Sequence, residues 1–298
     1  MAIVNFGSCI IDHVYCVPHF VRPGETLPAT GYRVFAGGTG FNQTLALARA
    51  DVTASGHTLA HAGAIGENGR WLLELLRAEG VDVRDVVVTD TPTGHGIIQV
   101  NDQGENAILQ FPGANRTLAA DHIDRVLAGY GPGDVLLLQN EVNALDQLIR
   151  TAVERGLRVV LNPAPMNAAI ADLPLERVWL LIVNEVEGFD LTGSREPGEI
   201  LARLGQRCPE SCVVVTLGAA GARCVCNGRE YRVNAWPAQA IDTTGAGDTF
   251  TGYFVASLLA GQEIGPALER AARAAALCVA RHGAADSIPN AAEVDALL

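Results

Sequence analysis

The stretch DTTGAGD, residues 242–248, places an aspartate at each end of a glycine-containing loop. Apolar residues then recur at i, i+4 and i+8 (Phe250, Phe254 and Leu258), which predicts a helix that begins near Ala246. A loop of this kind leaves backbone N–H groups unpaired at the positive end of a helix dipole. It can therefore hold an anion while the neighbouring aspartate takes a proton from a hydroxyl. The alternative is a tight turn with an N-capping aspartate and no chemistry.

Three further segments combine glycine or carboxylate residues with the start of a loop or helix. FAGGTGFNQT (35–44) opens a predicted helix but does not have the spacing of a dinucleotide-binding fingerprint. NEVE (184–187) could organise Mg²⁺ through water, or it could be an acidic helix N-terminus. TLGAAG (216–221) follows a predicted strand and could pass close to a nucleotide. Asp12 and Glu141 also follow predicted strands; they could accept substrate hydroxyls or be solvated loop acids.

The elements that must position these residues alternate between short apolar runs and amphipathic stretches, which indicates an α/β layer fold. Near-continuous apolar runs predict strands that are buried on both faces, as in a parallel sheet, at 134–140, 158–165, 179–185 and 212–218. Open α/β sheets bind ligands beyond the carboxyl ends of their strands. The polar residues that follow these runs are therefore expected to line the site.

The first part of the chain has the same rhythm. Strands are predicted at 3–10 and 57–65, and helices at 38–50 and 71–80. The second helix is expected to place Leu72, Leu75 and Leu76 on one face. Residues 11–36 and 93–111 instead read as irregular strands, the second of them a hairpin, which together predict a small sheet that covers the main layer. The absence of a linker predicts a single domain over 1–298.

Composition excludes several classes of protein. The formal net charge is −12, which argues against nonspecific binding to nucleic acid. All 21 basic residues are arginine, so the chain has no phosphate-loop lysine, kinase lysine or Schiff-base lysine. The pairs Cys208/Cys212 and Cys224/Cys226 lack a second set of metal ligands and are expected to be reduced thiols. The seven cysteines and the missing secretion signal and membrane span predict a cytoplasmic protein.

Taken in order, the motifs resemble the ribokinase (PfkB) family of carbohydrate kinases from Gly7 to about Ser287. The resemblance is carried by GSCIIDH, PGET, GGTGFNQ, GVDV, GAN, NPAP, NEVE, TLGAAG, DTTGAGD and RHGAADS. It implies a ribokinase-like three-layer α/β core with a mainly parallel sheet and a β-sheet lid at about 11–36 and 93–111. The implied activity is ATP-dependent phosphorylation of a sugar, with Mg²⁺ and a monovalent cation, commonly K⁺, as cofactors, in a homodimer formed through the lid.

The resemblance also implies roles for individual residues. Asp248 would be the base, and the amides of Gly245, Ala246 and Gly247 would form the anion hole. The acceptor would be held by Asp12, Gly38, Asn42, Glu141 and Asp248. The nucleotide would be bordered by Asn184, Thr216, Gly218 and Gly221, with Glu187 serving Mg²⁺ through water. The monovalent cation site would comprise Asp242, Thr244, Cys278, Arg281, Gly283 and Ser287, several of them through backbone carbonyls.

Three positions depart from the ribokinase pattern at the acceptor side. Ile10 stands where ribokinases carry an asparagine that contacts the sugar, and Thr39 and Phe41 replace the lysine and alanine of their glycine motif. An apolar group in place of a hydrogen-bonding one weakens binding of the hydroxyl that it would pair with. Ribose is therefore one candidate acceptor among several, the others being a fructokinase-like sugar, a sugar acid and a nucleoside. The alternative to a kinase is a non-catalytic sugar or nucleotide sensor.

Overall fold

The computed structural model describes residues 1–297 and contains two sheets. The larger has nine strands in the order β13-β12-β11-β10-β9-β8-β1-β4-β5. Its strands are β1 (Ala2–Phe6), β4 (Thr58–Gly66), β5 (Val86–Thr89), β8 (Val135–Gln139), β9 (Arg158–Asn162), β10 (Leu180–Asn184), β11 (Cys212–Thr216), β12 (Ala222–Cys226) and β13 (Arg229–Val233). The pairs from β5 to β11 are parallel, and β12 and β13 are added antiparallel.

The smaller sheet has the order β3-β2-β6-β7. Its strands are β2 (Ile10–Cys16), β3 (Gly31–Gly37), β6 (Gly94–Val100) and β7 (Asn106–Phe111). These strands come from the two segments that broke the α/β rhythm of the sequence, and β6 and β7 form the predicted hairpin. The prediction of a mainly parallel α/β core with a separate small sheet is confirmed.

Helices cover both faces of the large sheet. They are α1 (Thr39–Arg49), α2 (Arg70–Ala78), α3 (Ala120–Leu127), α4 (Leu145–Glu154), α5 (Glu185–Thr192), α6 (Pro197–Arg207), α7 (Ala246–Leu259), α8 (Ile264–Val279) and α9 (Ala291–Asp295). One apolar core lies under α1, α2, α7 and α8, and the other under α3, α4 and α6. The sheet strands supply alternate residues to the two cores, which explains their near-continuous apolar sequences.

Burial in α2 differs among the leucines predicted to share one face, and the prediction for two of the cysteines is wrong. Leu72 and Leu76 are buried together with Leu73, whereas Leu75 is 43% exposed. Cys212 and Cys226, expected as reduced thiols, form a disulfide between the neighbouring strands β11 and β12, with their Cα atoms 4.3 Å apart. The antiparallel pairing of β11 with β12 brings them together, and sequence spacing does not reveal that pairing. Within residues 1–297, no helix combines the length and apolar character needed to cross a membrane.

Candidate active site

The N-termini of α1 and α7 lie side by side, and two glycines permit this arrangement. Gly38 precedes α1 with φ of 98°, and Gly245 precedes α7 with φ of 78°, a backbone region that favours glycine. Further along, α7 crosses α1 at Gly252, where an added Cβ would lie 2.4 Å from the Cβ of Ala46. The close crossing brings the two predicted glycine loops to one place.

Asp248, in the first turn of α7, is held by two consecutive side chains of α1. Its Oδ2 accepts a hydrogen bond from Asn42 Nδ2 and its Oδ1 accepts one from Gln43 Nε2, each at 3.0 Å. The pKa of Asp248 is raised to about 7, mainly by burial and also by the charges of the nearby Glu141 and Glu187, against the lowering effect of these two hydrogen bonds. A carboxyl group with a pKa near neutrality suits a general base.

The backbone at the start of α7 offers free donors. Within residues 1–297 the N–H groups of Gly245 and Gly247 have no acceptor, whereas the Ala246 N–H donates to the Thr243 carbonyl at 3.3 Å. Two of the three amides predicted for an anion hole are therefore available, and the third is shared with a turn. The unpaired donors lie at the positive end of the α7 dipole, beside Asp248.

Asp12 lies on the small sheet in a space that two glycines leave open. An added Cβ would lie 2.1 Å from Asp12 Oδ2 at Gly37 and 2.8 Å from Asp12 Oδ1 at Gly96. Burial, with a smaller contribution from the charge of Glu141, raises the pKa of Asp12 to about 6. Ile10 lies two residues earlier on β2, so its side chain shares this face of the sheet, and it packs against Gly38.

Glu141 follows β8 of the large sheet, and both of its carboxylate oxygens accept hydrogen bonds. Oε2 accepts from the Ser8 hydroxyl at 2.5 Å and from the Thr39 N–H at 2.7 Å. Oε1 accepts from Gln110 Nε2 of β7 at 2.9 Å. Glu141, which is predicted to bind the phosphoryl acceptor, thus also connects to the small sheet through Gln110. The sequence did not indicate Ser8 and Gln110 as its neighbours.

Of the residues that depart from the ribokinase pattern, Phe41 does not face the candidate site. Phe41 is 0% exposed and belongs to the apolar core under α1, so it contacts the protein interior rather than a substrate. Thr39 contributes its backbone N–H to Glu141. Asn42, in contrast, is buried, and its Oδ1 has no hydrogen-bond partner among residues 1–297. A buried acceptor without a donor is suited to a substrate hydroxyl.

Asn184 and Glu187 form a capping box at the start of α5. Glu187 Oε2 accepts from the Asn184 N–H, and Glu187 Oε1 accepts from Asn184 Nδ2, both at 2.9 Å. The helix-N-terminus interpretation is therefore correct locally. Burial raises the pKa of Glu187, partly offset by the Asn184 N–H. A carboxylate has about four lone-pair positions, so each oxygen retains acceptor capacity for a water molecule.

The TLGAAG loop lies directly beside this capping box. Thr216, the last residue of β11, is paired with Asn184 at the end of β10. Gly218 and Gly221 have positive φ values of 51° and 93°. An added Cβ at Gly221 would lie 2.0 Å from the Val233 carbonyl, so the loop turns back tightly against the end of β13. The structure thus brings the four predicted nucleotide-side residues together at one edge of the sheet.

The six residues predicted to hold a monovalent cation gather around the start of α7. Asp242 Oδ1 accepts from the Thr244 N–H at 2.9 Å, and Asp242 Oδ2 accepts from the Gly283 N–H at 3.0 Å. Burial acts to raise the pKa of Asp242, but the hydrogen bond from the Thr244 hydroxyl, at 2.7 Å, and the two backbone hydrogen bonds outweigh it, so the pKa lies below its usual value. Cys278 Sγ lies 3.0 Å from Ser287 Oγ and 3.8 Å from the Thr244 carbonyl.

The oxygen-rich character of this group suits a hard cation. Arg281 directs its guanidinium to Glu293 at 2.5 Å, so it offers the site its backbone alone. In the part of the chain that the structure describes, no group of three or more His, Cys, Asp or Glu side chains could hold a metal ion. Any cation bound here would be coordinated mainly by carbonyl and hydroxyl oxygens with one carboxylate.

Comparisons with known proteins agree with this geometry. The family model described as pfkB family carbohydrate kinase matches residues 2–291. A ribokinase of Haemophilus influenzae is 34% identical over 296 residues, covering 96% of this chain and 95% of that protein.

Among the solved structures that match, two from different organisms cover 99% or more of this chain. Ribokinase from Cryptococcus neoformans var. grubii in complex with ADP has a TM-score of 0.83 and 36% identity, covering 100% of this chain and 99% of that chain. Arabidopsis thaliana ribokinase complexed with ribose and ATP has a TM-score of 0.86 and 29% identity, covering 99% and 97%. The strand order, the converging loops and these matches lead to one conclusion: the chain belongs to the pfkB family of carbohydrate kinases.

Proposed function

We propose that this ATP-dependent carbohydrate kinase transfers the γ-phosphoryl group of ATP to a primary hydroxyl of a small sugar, with Asp248 as the general base. The observation that carries the proposal is the position of Asp248. Its carboxylate is oriented by Asn42 and Gln43 and lies beside the unpaired N–H groups of Gly245 and Gly247. The carboxylate can take a proton while the two N–H groups stabilise the charge that develops on the transferred phosphoryl group.

In the proposed reaction, a carboxylate oxygen of Asp248 accepts the proton of the sugar hydroxyl. The hydroxyl oxygen forms a bond to the γ-phosphorus as the bond between that phosphorus and the bridging oxygen of ADP breaks. The products are the sugar phosphate and ADP, and the proton leaves Asp248 to solvent. The base must be ionised at the start of each cycle, which a pKa of about 7 permits at neutral pH.

The acceptor is proposed to lie between the small sheet and the start of α1. Asp12 occupies a space opened by two glycines and suits a pair of hydroxyl donors. Asn42 Oδ1 can accept one further hydroxyl, and Glu141 retains lone pairs beyond the three hydrogen bonds that it accepts. Gly38 lets the substrate approach the backbone at the start of the helix.

The nucleotide is proposed to bind across the ends of β10 and β11, between Asn184, Thr216, Gly218 and Gly221. Glu187 would hold Mg²⁺ through water, since magnesium keeps several waters and binds through few carboxylates. When bound, Mg²⁺ would neutralise part of the phosphate charge. Asp242, Thr244, Cys278, Arg281, Gly283 and Ser287 would hold the monovalent cation, proposed to be K⁺, close to the anion hole.

Ile10 determines which acceptors fit the proposed site, and it does not select ribose alone. Its side chain is 3% exposed and lies on the face of β2 that carries Asp12. An apolar group here favours an acceptor that has a hydrogen atom in place of a hydroxyl group at the corresponding position. It would also suit a nucleoside whose base lies there. Phe41, which is buried in the core, adds no support for the nucleoside. We therefore place a sugar or deoxy sugar before a nucleoside.

The face of the small sheet opposite to Asp12 supports a homodimer. Its exposed apolar residues alternate with the site-facing ones and are Tyr32, Val34, Ile97, Leu109 and Phe111. Pairing of this face with a second copy would bury side chains such as Leu109, which is 71% exposed. Light scattering should give twice the chain mass, and Leu109→Glu should reduce it; a monomeric unmodified protein would contradict the proposal.

Two measurements test the proposed reaction. Asp248→Asn should lower kcat by at least about a thousandfold while ATP binding, followed by calorimetry, is retained. A rate close to that of the unmodified protein would refute the assignment of the base. ADP release should then be compared across ribose, 2-deoxyribose, ketohexoses, sugar acids and nucleosides. If the protein is active with a nucleoside and with none of the sugars, the acceptor is a nucleoside and the proposed sugar is wrong.

A further inference from the structure

We propose that Gln43 is a positioning residue for Asp248, and that a buried chain of amide side chains fixes which end of Gln43 faces the carboxylate. This inference rests on the proposed role of Asp248 as the base. It adds Gln43, Gln139 and Asn162, to which the family resemblance assigned no role, to the residues that determine the reaction rate. Its basis is a set of hydrogen bonds that have one consistent direction.

The chain starts from backbone carbonyls, which only accept hydrogen bonds. Asn162 Nδ2 donates to the Ile182 carbonyl at 3.0 Å, so its Oδ1 points the other way and accepts from Gln43 Nε2 at 2.8 Å. Asn5 Nδ2 donates to the Gly40 carbonyl at 2.8 Å. Because each amide has one donor end and one acceptor end, these carbonyls set the orientation of both asparagines.

The remaining bonds transmit this orientation to Gln43. Asn5 Oδ1 accepts from Gln139 Nε2 at 3.1 Å, and the same Nε2 donates to Gln43 Oε1 at 2.7 Å. The oxygen of Gln43 is therefore committed to Gln139, and its nitrogen must face Asn162 and Asp248. A flipped Gln43 would present its oxygen to a carboxylate and to the Asn162 oxygen, two contacts that repel.

Burial makes the arrangement rigid. Asn5 and Gln43 are fully buried, and Gln139 and Asn162 are buried at the carboxyl ends of the adjacent strands β8 and β9. Water therefore does not compete for these hydrogen bonds, and a lost partner would leave an unsatisfied polar group. The pairing of β8 with β9 thus determines the orientation of a side chain on α1, which in turn orients the carboxylate on α7.

The donor has an electrostatic consequence. Burial is the main cause that disfavours the charge of Asp248, and the charges of Glu141 and Glu187 also raise its pKa. The third titratable neighbour is the Cys278 thiol, whose own pKa is raised by burial and by the charge of Asp248. Together with Asn42, Gln43 opposes these effects by donating to the ionised form. The carboxylate therefore keeps both its orientation and its ionisation near neutral pH through the two amides of α1.

The test uses Gln43→Met, which keeps the length and removes the donor. We expect kcat at pH 7 to fall about tenfold or more and the acid limb of the kcat profile to move upward by about one pH unit or more, with the sugar KM changed less than about threefold. Gln206→Met makes the same chemical change on the exposed part of α6 and should leave all three unchanged.

Gln139→Met tests the same idea one residue away from Asp248. It should reproduce part of the Gln43→Met effect, and the double variant should be no slower than Gln43→Met alone, because Gln139 acts through Gln43. Folding of each variant is checked by its thermal unfolding. If Gln43→Met does not fold, Gln139→Met carries the test, and a folded Gln139→Met with an unchanged acid limb overturns the inference.

Failure of this inference differs from failure of the proposed function. If Asp248→Asn is inactive while folded Gln43→Met keeps the unmodified kcat and acid limb, Asp248 is the base and Gln43 does not position it. If Asp248→Asn retains activity, the proposed function itself is wrong. Additive losses in the double variant would show that Gln139 does not act through Gln43, and would also overturn the inference.

Discussion

The pH dependence of kcat follows directly from the surroundings of Asp248. Burial raises its pKa from 3.8 to about 7, and a general base works only when it is ionised. With a pKa of about 7, roughly one molecule in eleven carries the ionised base at pH 6, and roughly ten in eleven at pH 8. We therefore expect kcat to rise about tenfold between pH 6 and pH 8 and to level off above that.

The assay should measure ADP directly by chromatography, at saturating sugar and ATP, with ionic strength and K⁺ held constant. Asp12→Asn is the matched control, because the pKa of Asp12 is raised to about 6 and its titration should act on the sugar KM. This variant should lose the rise in KM below pH 6 and keep the acid limb of kcat. A kcat that is flat from pH 6 to pH 8 would refute the assignment of Asp248 as a base with a raised pKa.

Protonation of Asp248 does not itself favour unfolding at low pH. The folded-state pKa of Asp248 lies above its unfolded value, so the protonated form favours the folded state. The ionised carboxylate destabilises the fold most fully above pH 7, and this cost is relieved as the pH falls from about 7 towards 4. Thermal unfolding at pH 6 and pH 8 separates this stability effect from the effect on kcat.

Three other changes test particular contacts. Gly252→Ala should lower the free energy of unfolding by about 1–3 kcal/mol in chemical denaturation, because the new Cβ meets the backbone and Cβ of the neighbouring helix; Gly265→Ala, with open space around it, should be neutral or stabilising. Gly37→Ala should raise the sugar KM about tenfold, with kcat largely kept, because its Cβ displaces Asp12; Gly31→Ala, at the far end of the same strand, should leave KM unchanged. Added K⁺ should raise the rate measured in buffer without monovalent metal cations, and no response would count against the proposed cation site.

Much of the core could be predicted from sequence because its signal is local. Each buried parallel strand needs apolar side chains on both faces, which gives a near-continuous apolar run in a single stretch of chain. The sequence pattern of a glycine loop that opens a helix also lies within a few residues. The segments around Gly38 and Gly245 could therefore be predicted from the sequence. The strand-end positions of Glu141 and Asn184 followed from the same reasoning. Asp12, expected to follow the first strand, instead lies within β2 of the small sheet.

The partners of these residues depended on the tertiary structure. Gln43 follows Asn42 on α1, and the sequence spacing of the two amides does not show that both reach Asp248, which lies about two hundred positions further along the chain. Gln139 and Asn162 become functional candidates only because β8 and β9 pair and end beside α1. The family motif places Phe41 on the acceptor side, where it could face an apolar group, but α1 turns its side chain into the core.

The chain by itself thus determined which segments are strands, helices and glycine loops, since these depend on residues close in sequence. Only the folded chain decided which carboxylate is desolvated, which amide end faces it and which cysteines meet, since these depend on atoms brought together from distant segments. Asp248 illustrates the difference. The sequence shows that residue 248 is an aspartate, but burial and the hydrogen bonds from α1 determine the pKa of its carboxyl group.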